Sequence, residues 1–181
     1  MQMKPQLTLL AEYNTWINQQ LYAVASQLPT EALQENRQAF FGSISGTFNH
    51  LLVADLIWLR RFAAHPHGFP ALNALQDFLH PSRLNDILYP DFQQLWEKRT
   101  ALDKVIEAWI DELQEADLAL VLAYHNTKGV AASKNFLSLL LHFFTHQVHH
   151  RGQVTTLLSQ AGLDFGETDL LLGIPNVGQV D

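Results

Sequence analysis

The chain contains no cysteine among its 181 residues. This absence excludes disulfide bonds, zinc sites with cysteine ligands and catalysis by a thiol of the protein. Any metal site must therefore use histidine and carboxylate ligands. Any thiol chemistry requires a thiol that a second molecule provides.

Basic residues are also scarce, and they form no patch. There are 11 Lys and Arg against 18 Asp and Glu, so the formal net charge is -7. Because a nucleic-acid partner requires a basic face, we expect no nucleic-acid binding. No apolar run approaches the roughly 20 residues that cross a bilayer, and no signal peptide follows Lys4. The sequence therefore predicts a cytoplasmic protein without a membrane partner.

Four long amphipathic segments dominate the pattern, in which apolar residues recur at helical spacings of three and four. The predicted helices cover residues 5–28, 43–64, 91–115 and 133–161. The segment 118–130 has β-prone residues around the turn Asn-Thr-Lys-Gly, which predicts a small hairpin. We therefore expect one all-α domain over residues 1–181, a four-helix bundle with a small hairpin or irregular insertion before the last helix.

Several boundaries and connections have weaker signals. Ser43 and Ser45 are both suitable N-caps for the second helix. Residues 65–90 are predicted to be irregular, with a short helix at 75–79, and their aromatic residues indicate packing against the bundle. The tail, residues 163–181, keeps an apolar run and is predicted to fold back onto the bundle.

The most informative feature is a group of four histidines in the last predicted helix. They are His142, His146, His149 and His150. Side chains at i and i+4 lie one above the other on a helix, so His146 and His150 can bind one transition-metal ion. His142 continues this row one turn earlier. His149 lies about 100° around the helix from His150, and its i,i+3 pairing with His146 is geometrically possible.

Two histidines do not complete such a site, so a third ligand must come from another helix. His50 is the candidate, because no other remaining histidine lies inside an amphipathic helix. Gly46, Thr47 and Ala54 would leave space beside it. Three neutral imidazoles bind Zn, Ni, Co or Fe(II) and leave open positions, as in catalytic sites. The other histidines are interpreted as ordinary core or surface side chains in loops: His65, His67, His80 and His125.

The neighbours of the histidine pair suggest supporting roles. Gln153 is a candidate to hydrogen-bond a metal-ligating histidine, and His142 and His149 are candidates for the same support or for substrate contact. Arg151 is either a surface residue or the partner of an acidic group elsewhere. Two familiar metal sites are excluded, because Gln147 stands where a zincin protease needs Glu and no Glu-x-x-His motif of di-iron bundles occurs.

Three segments together resemble the DinB family, the DinB/YfiT-like metalloenzymes and not the DNA polymerase of the same name. They are His-Gln-Val-His-His-Arg-Gly-Gln at 146–153, Asn-His-Leu-Leu-Val-Ala-Asp at 49–55 and Tyr-Asn-Thr-Trp at 13–16. The resemblance extends over nearly the whole chain. It implies a four-helix bundle, a homodimer and a divalent metal whose ligands correspond to His50, His146 and His150.

The resemblance also implies a class of chemistry. Relatives with known activity use low-molecular-weight thiols, as thiol S-transferases or as a thiol-dependent isomerase. We therefore expect an enzyme in which a Zn, Ni or Fe ion activates water or an external small thiol, with an electrophilic small molecule as substrate. The alternative from another class is a non-enzymatic, stress-related protein that binds a metal or a small ligand. A third is a structural bundle with vestigial histidines.

Overall fold

Four long helices form the framework of the protein, which a computed structural model describes over residues 2–178. They are α1 (Lys4–Ala25), α3 (Ile44–Ala63), α4 (Phe92–Glu112) and α5 (Phe136–Gln160). The smaller elements are α2 (Thr30–Gln34), the strands β1 (Val121–His125) and β2 (Ala131–Asn135), and 3-10 turns at Pro70–Asp77, Glu115–Ala119 and Leu170–Gly173. The all-α bundle expected from the sequence is confirmed. Within residues 2–178, no helix has both the length and the apolar character to cross a membrane.

Side-chain caps determine where three of the long helices begin. Ser43 Oγ accepts the N–H of Gly46 at 2.9 Å, and Asn135 Oδ1 accepts the N–H of Ser138 at 2.9 Å. Asp91 caps α4 in the same way. These bonds satisfy first-turn N–H groups that have no partner within the helix. Of the two caps that the sequence offered for α3, Ser43 is the one used.

The last helix starts later than predicted. Its pattern indicated a start near residue 133, but residues 131–135 form β2, and α5 begins only at Phe136. In the antiparallel hairpin, Val121 lies opposite Asn135. The helical period of this segment is overridden by backbone pairing with β1, a partner that local spacing does not reveal.

Three other boundaries differ from the prediction. α1 ends at Ala25 and not at residue 28, and α4 ends at Glu112 and not at 115. The short helix expected at 75–79 is the 3-10 turn Pro70–Asp77. In each case an apolar residue past the real end still packs on the core, as Leu113 does at 1% exposure. For α1 and α4, spacing therefore predicted more helix than forms.

The tail returns to the bundle through backbone carbonyl groups and through two apolar side chains, Leu163 and Phe165, that pack against the core. The Tyr13 hydroxyl donates to the Thr168 carbonyl at 2.6 Å, and Gln20 Nε2 donates to the Glu167 carbonyl at 2.8 Å. Leu171, in the apolar run of the tail, remains 72% exposed. The hydrogen bonds from α1 to these carbonyl groups help to hold the tail in place. The predicted tail also includes residues 179–181, which lie outside the described residues.

The interior of the bundle is largely apolar, and a band of polar side chains crosses it. α1 packs against α4 and α5, and α3 packs against α5. Between them, all four long helices contribute to one apolar core. The polar band consists of seven buried residues: Asn14, Asn18, Asp55, Arg99, Asp103, Gln147 and Arg151.

The polar band is electrically balanced and internally paired. Arg99 Nη1 lies 2.7 Å from Asp55 Oδ2, and Arg99 Nη2 lies 2.7 Å from Asp103 Oδ1. Arg151 Nη1 donates to Asn14 Oδ1 at 2.6 Å, and Asn14 Nδ2 donates to Asp103 Oδ1 at 2.9 Å. Buried charges are stable only when paired and hydrogen-bonded in this way. Arg151 is thus buried, contrary to its surface interpretation, and its direct partner is an amide and not an acid.

Candidate metal centre

Three histidines converge where α3 and α5 pack together. His50 comes from α3, and His146 and His150 come from α5. The Nε2 atom of His150 lies 3.2 Å from Nε2 of His50 and 3.1 Å from Nε2 of His146. One ligand atom from each residue lies within 4.8 Å of the other two. The structure therefore brings together the three residues that the sequence singled out, about a hundred positions apart in the chain.

Hydrogen bonds on the opposite ring nitrogens orient two of these imidazoles. His50 Nδ1 lies 2.8 Å from the carbonyl oxygen of Leu84, and His150 Nδ1 lies 2.9 Å from Gln153 Oε1. A carbonyl oxygen only accepts, so Nδ1 of His50 carries the proton and its Nε2 keeps a free lone pair. The same assignment for His150 places Gln153 in the supporting position considered from the sequence.

Burial keeps these imidazoles neutral near pH 7. It lowers the pKa of His50 to about 4, an effect that the hydrogen bond to Leu84 partly opposes. It lowers the pKa of His146 to about 3, and the charges of the neighbouring His150 and His50 rings add to this shift. The pKa of His150 is also lowered by burial. Neutral imidazole is the form that binds metals, so no proton has to be displaced at pH 7.

The spacing of the ring nitrogens fits a divalent ion. With Zn–N bonds of about 2.0–2.1 Å, two tetrahedral ligand atoms lie about 3.3 Å apart. The observed separations are 3.2 and 3.1 Å. If Nε2 of His50 and His150 both lack a proton, their lone pairs face each other, which is favourable only with a cation between them. Imidazole suits Zn, Ni and Fe(II) alike.

The three histidines line an open cavity of about 780 Å³. The Phe41 ring stacks on the His50 ring, with 3.6 Å between centroids and 14° between planes. Phe40 stands at the mouth and is 86% exposed. Among the described residues, no Lys, Arg, Asp or Glu lines this cavity. The remaining wall is formed by Gly46, Leu84, Asn85 and Ile87.

A tight turn before α3 presents the two phenylalanines. Gly42 closes it, because its N–H donates to the Ala39 carbonyl at 2.8 Å and its φ of 77° lies in the left-handed region that favours glycine. Gly46 then lies under the turn, where a Cβ would overlap the Phe41 carbonyl oxygen. Gly46 was expected to leave space beside His50. In the structure the Phe41 carbonyl lies where a Cβ of Gly46 would be, and Gly46 lines the same cavity as His50.

This packing predicts opposite effects for two glycine substitutions. We expect Gly46→Ala to lower the free energy of unfolding by about 1–3 kcal/mol, because the Phe41 turn must move. The matched control is Gly152→Ala in α5, where nothing lies within 4 Å of an added Cβ. There the gain in helix propensity should stabilise the protein by about 0.5–1 kcal/mol. Urea unfolding of both variants measures the difference, and a stabilising Gly46→Ala would contradict the close approach.

His142 and His149 lie beside the centre and not within it. The His142 ring packs edge-on against Trp58 at 5.3 Å, and its centroid lies 5.9 Å from that of His146. His149 is exposed, with its ring 4.7 Å from the His150 ring. The pair of histidines that lies next to His50 is therefore His146 and His150, and not the i,i+3 pair of His146 and His149.

The polar band meets the centre through Gln147. Its Nε2 atom donates to the Leu51 carbonyl at 3.2 Å and to Asp55 Oδ1 at 2.5 Å. Since Gln147 follows His146 and Leu51 follows His50, this side chain ties α5 to α3 at the level of the imidazoles. Sequence reasoning missed most of the band. The sequence feature that could have revealed it is a charged residue on the apolar face of a predicted helix, such as Arg99 between Leu95 and Leu102.

Comparison with known proteins identifies the family of the chain. The DinB family profile matches residues 1–175. Protein DinB of Bacillus subtilis is 29% identical over 162 residues, which cover 88% of each chain. The crystal structure of a DinB-like protein from Bacillus cereus has the same fold, with a TM-score of 0.62, 20% identity and coverage of 86% of this chain and 91% of that chain. The chain belongs to the DinB family.

Proposed function

We propose that this protein is a metal-dependent enzyme that activates water or a low-molecular-weight thiol for attack on a small electrophilic substrate. The supporting observation is the convergence of three imidazole nitrogens on the floor of an open cavity of about 780 Å³. Structural zinc sites are closed by four protein ligands, whereas catalytic sites have three and leave a position open. A three-histidine set beside a cavity matches the second arrangement.

In this proposal, His50, His146 and His150 hold a Zn, Ni or Fe ion through their Nε2 atoms. The bound ion would supply Lewis acidity, which lowers the pKa of a water or thiol that coordinates it. The cavity wall contains no carboxylate within the described residues. A side-chain general base is therefore not part of the proposal.

The surroundings of the imidazoles have two roles. The Leu84 carbonyl and Gln153 hold the rings of His50 and His150 in their ligating orientation. Phe41 covers one face of His50 and keeps water from that side. Because the remaining wall is apolar or neutral, it favours a substrate whose reacting end is uncharged and apolar.

The nucleophile can be identified directly because the chain has no thiol of its own. The protein would be loaded separately with Zn²⁺, Ni²⁺ or Fe²⁺. Each form would be mixed with β-mercaptoethanol and a chromogenic dinitrophenyl halide, or, without thiol, with a nitrophenyl ester. We expect metal-dependent turnover in at least one arm and its loss in His50→Ala.

His67→Ala is the matched control, because His67 is exposed and lies outside the lining of the cavity at the metal centre. It should retain the parental rate. If the parent binds one metal ion yet accelerates neither reaction beyond His50→Ala, the enzymatic proposal is wrong. The metal-binding, non-enzymatic alternative would then be favoured.

A further inference from the structure

A second cavity, of about 490 Å³, lies at the other end of α3. We call it the arginine pocket, defined by Arg60, Arg61, His80, Ser82, Tyr124 and His125, which all line it. It lies between the end of α3, the hairpin and the segment that follows the Pro70–Asp77 turn. Arg61 is eleven residues beyond His50, about 16 Å along the helix axis. The two cavities share no lining residue.

Arg61 provides the guanidinium group of this pocket that is best placed to bind a ligand. Its guanidinium carbon lies 4.7 Å from the centroid of the Trp58 ring and 5.0 Å from that of Tyr124. Aromatic contacts of this kind hold a guanidinium in place without consuming its N–H donors. Within residues 2–178, no carboxylate forms an ion pair with Arg61. Its positive charge is thus positioned and half-buried but lacks an anion.

Arg60 adds a second positive charge, and it also holds a neighbouring segment in place. Its Nη2 atom donates to the carbonyls of Leu75 and Phe78, each at 3.0 Å. These bonds attach the 3-10 turn to α3. They involve carbonyl oxygens, so they leave the charge of Arg60 uncompensated. Burial lowers the pKa of both Arg60 and Arg61, as expected for cations held partly away from water.

The charge of this lining contrasts with that of the whole chain. Within the described part of the chain, no Asp or Glu lines the pocket, although acidic residues outnumber Lys and Arg by 18 to 11. The acidic group attached to its wall is Asp86, which accepts hydrogen bonds from the backbone and hydroxyl of Ser82 and lies outside the lining. Cations in the last turn of α3 also suit the helix dipole. The dipole accounts for their sign but not for an acid-free cavity.

We propose that the arginine pocket binds the carboxylate or phosphate group of a small molecule, with the apolar part of that molecule against Ile57 and Tyr124. Arginine is suited to this task because its planar fork makes two parallel hydrogen bonds to either group. The apolar side chains in the lining would cover the rest of the ligand. This site is independent of the metal chemistry proposed above.

Binding can be measured with three probes on the full, metal-free chain at constant ionic strength. Phenyl phosphate, phenylacetate and inorganic phosphate would be titrated by calorimetry. We expect saturable binding of at least one organic anion, and the preferred group identifies the phosphate or the carboxylate class. Arg61→Gln should weaken binding about tenfold or more, because charged hydrogen bonds are lost.

Arg83→Gln is the matched control, since Arg83 is exposed and lies one residue beyond the lining. It removes the same charge and should change affinity by less than about twofold. Ala123→Glu keeps the aromatic contacts of Arg61 but places an acid in the pocket, and it should also abolish binding. The proposal is overturned if no probe saturates, if Arg83→Gln weakens binding as much as Arg61→Gln, or if a folded Ala123→Glu binds normally.

Discussion

His146→Ala is expected to reduce the affinity for Zn²⁺ or Ni²⁺ by about 100-fold or more, because even the hydrogen-bond partners of metal ligands contribute about 10–100-fold. The variant removes one of the three Nε2 atoms of the centre. In the parent, Nε2 of His150 lies 3.1 Å from that of His146 and 3.2 Å from that of His50. Two remaining imidazoles bind a divalent ion far more weakly. Competition with a chromogenic chelator gives the affinity, and elemental analysis gives the stoichiometry.

Two further variants on the same helix make this test specific. His149→Ala removes an exposed imidazole next to His150 and should change affinity by less than about threefold, since it leaves all three ligands intact. Gln153→Leu removes the acceptor of the His150 ring and should cost an intermediate factor of about 10. If His149→Ala abolished binding while His146→Ala did not, the assignment of ligands would be wrong.

Arg99→Met is expected to lower the free energy of unfolding by about 3–5 kcal/mol, the cost of breaking a buried ion pair from one side. It would leave Asp55 and Asp103, each 1% exposed, without the cation that pairs directly with both. Burial raises the pKa of Asp103 to about 6 even with Arg99 present. Urea unfolding at pH 7 measures the loss.

The control for this variant is Arg37→Met, which removes a pair between Arg37 and the 61%-exposed Glu35. Exposed pairs contribute less than about 1 kcal/mol, so the two losses should differ clearly. Acid should reduce the loss in Arg99→Met. A carboxyl whose folded pKa exceeds its unfolded pKa stabilises the fold increasingly as pH decreases through the folded value. If Arg99→Met lost as much free energy of unfolding at pH 5 as at pH 7, the explanation by an unpaired Asp103 would be wrong.

The helices were predictable because the buried face of a helix has apolar residues at intervals of three and four positions in the sequence. The same local rule placed His146 and His150 on one face of α5. Boundaries were less predictable, since they depend on caps and partners. Nothing within residues 133–135 indicates that β1 pairs with them, and that pairing moved the start of α5 to Phe136.

The supporting residues of the site could be read only in part. Gln153 stands three residues after His150 and was recognisable as a hydrogen-bond partner. The Leu84 carbonyl was not, because it belongs to an irregular segment that returns to α3 from 34 residues away. His80 and His125 were interpreted as ordinary histidines. They line the arginine pocket because the hairpin and the segment after the 3-10 turn meet at the end of α3.

By itself, the sequence determined a four-helix bundle and a histidine face on its last helix, because both follow from spacing along one element. The tertiary structure decided the rest. It placed His50 against His146 and His150, stacked Phe41 over the site and paired Arg99 with acids on two helices. These outcomes depend on the packing of α3, α4 and α5 against one another, and distances between helices are not encoded in the period of any one of them.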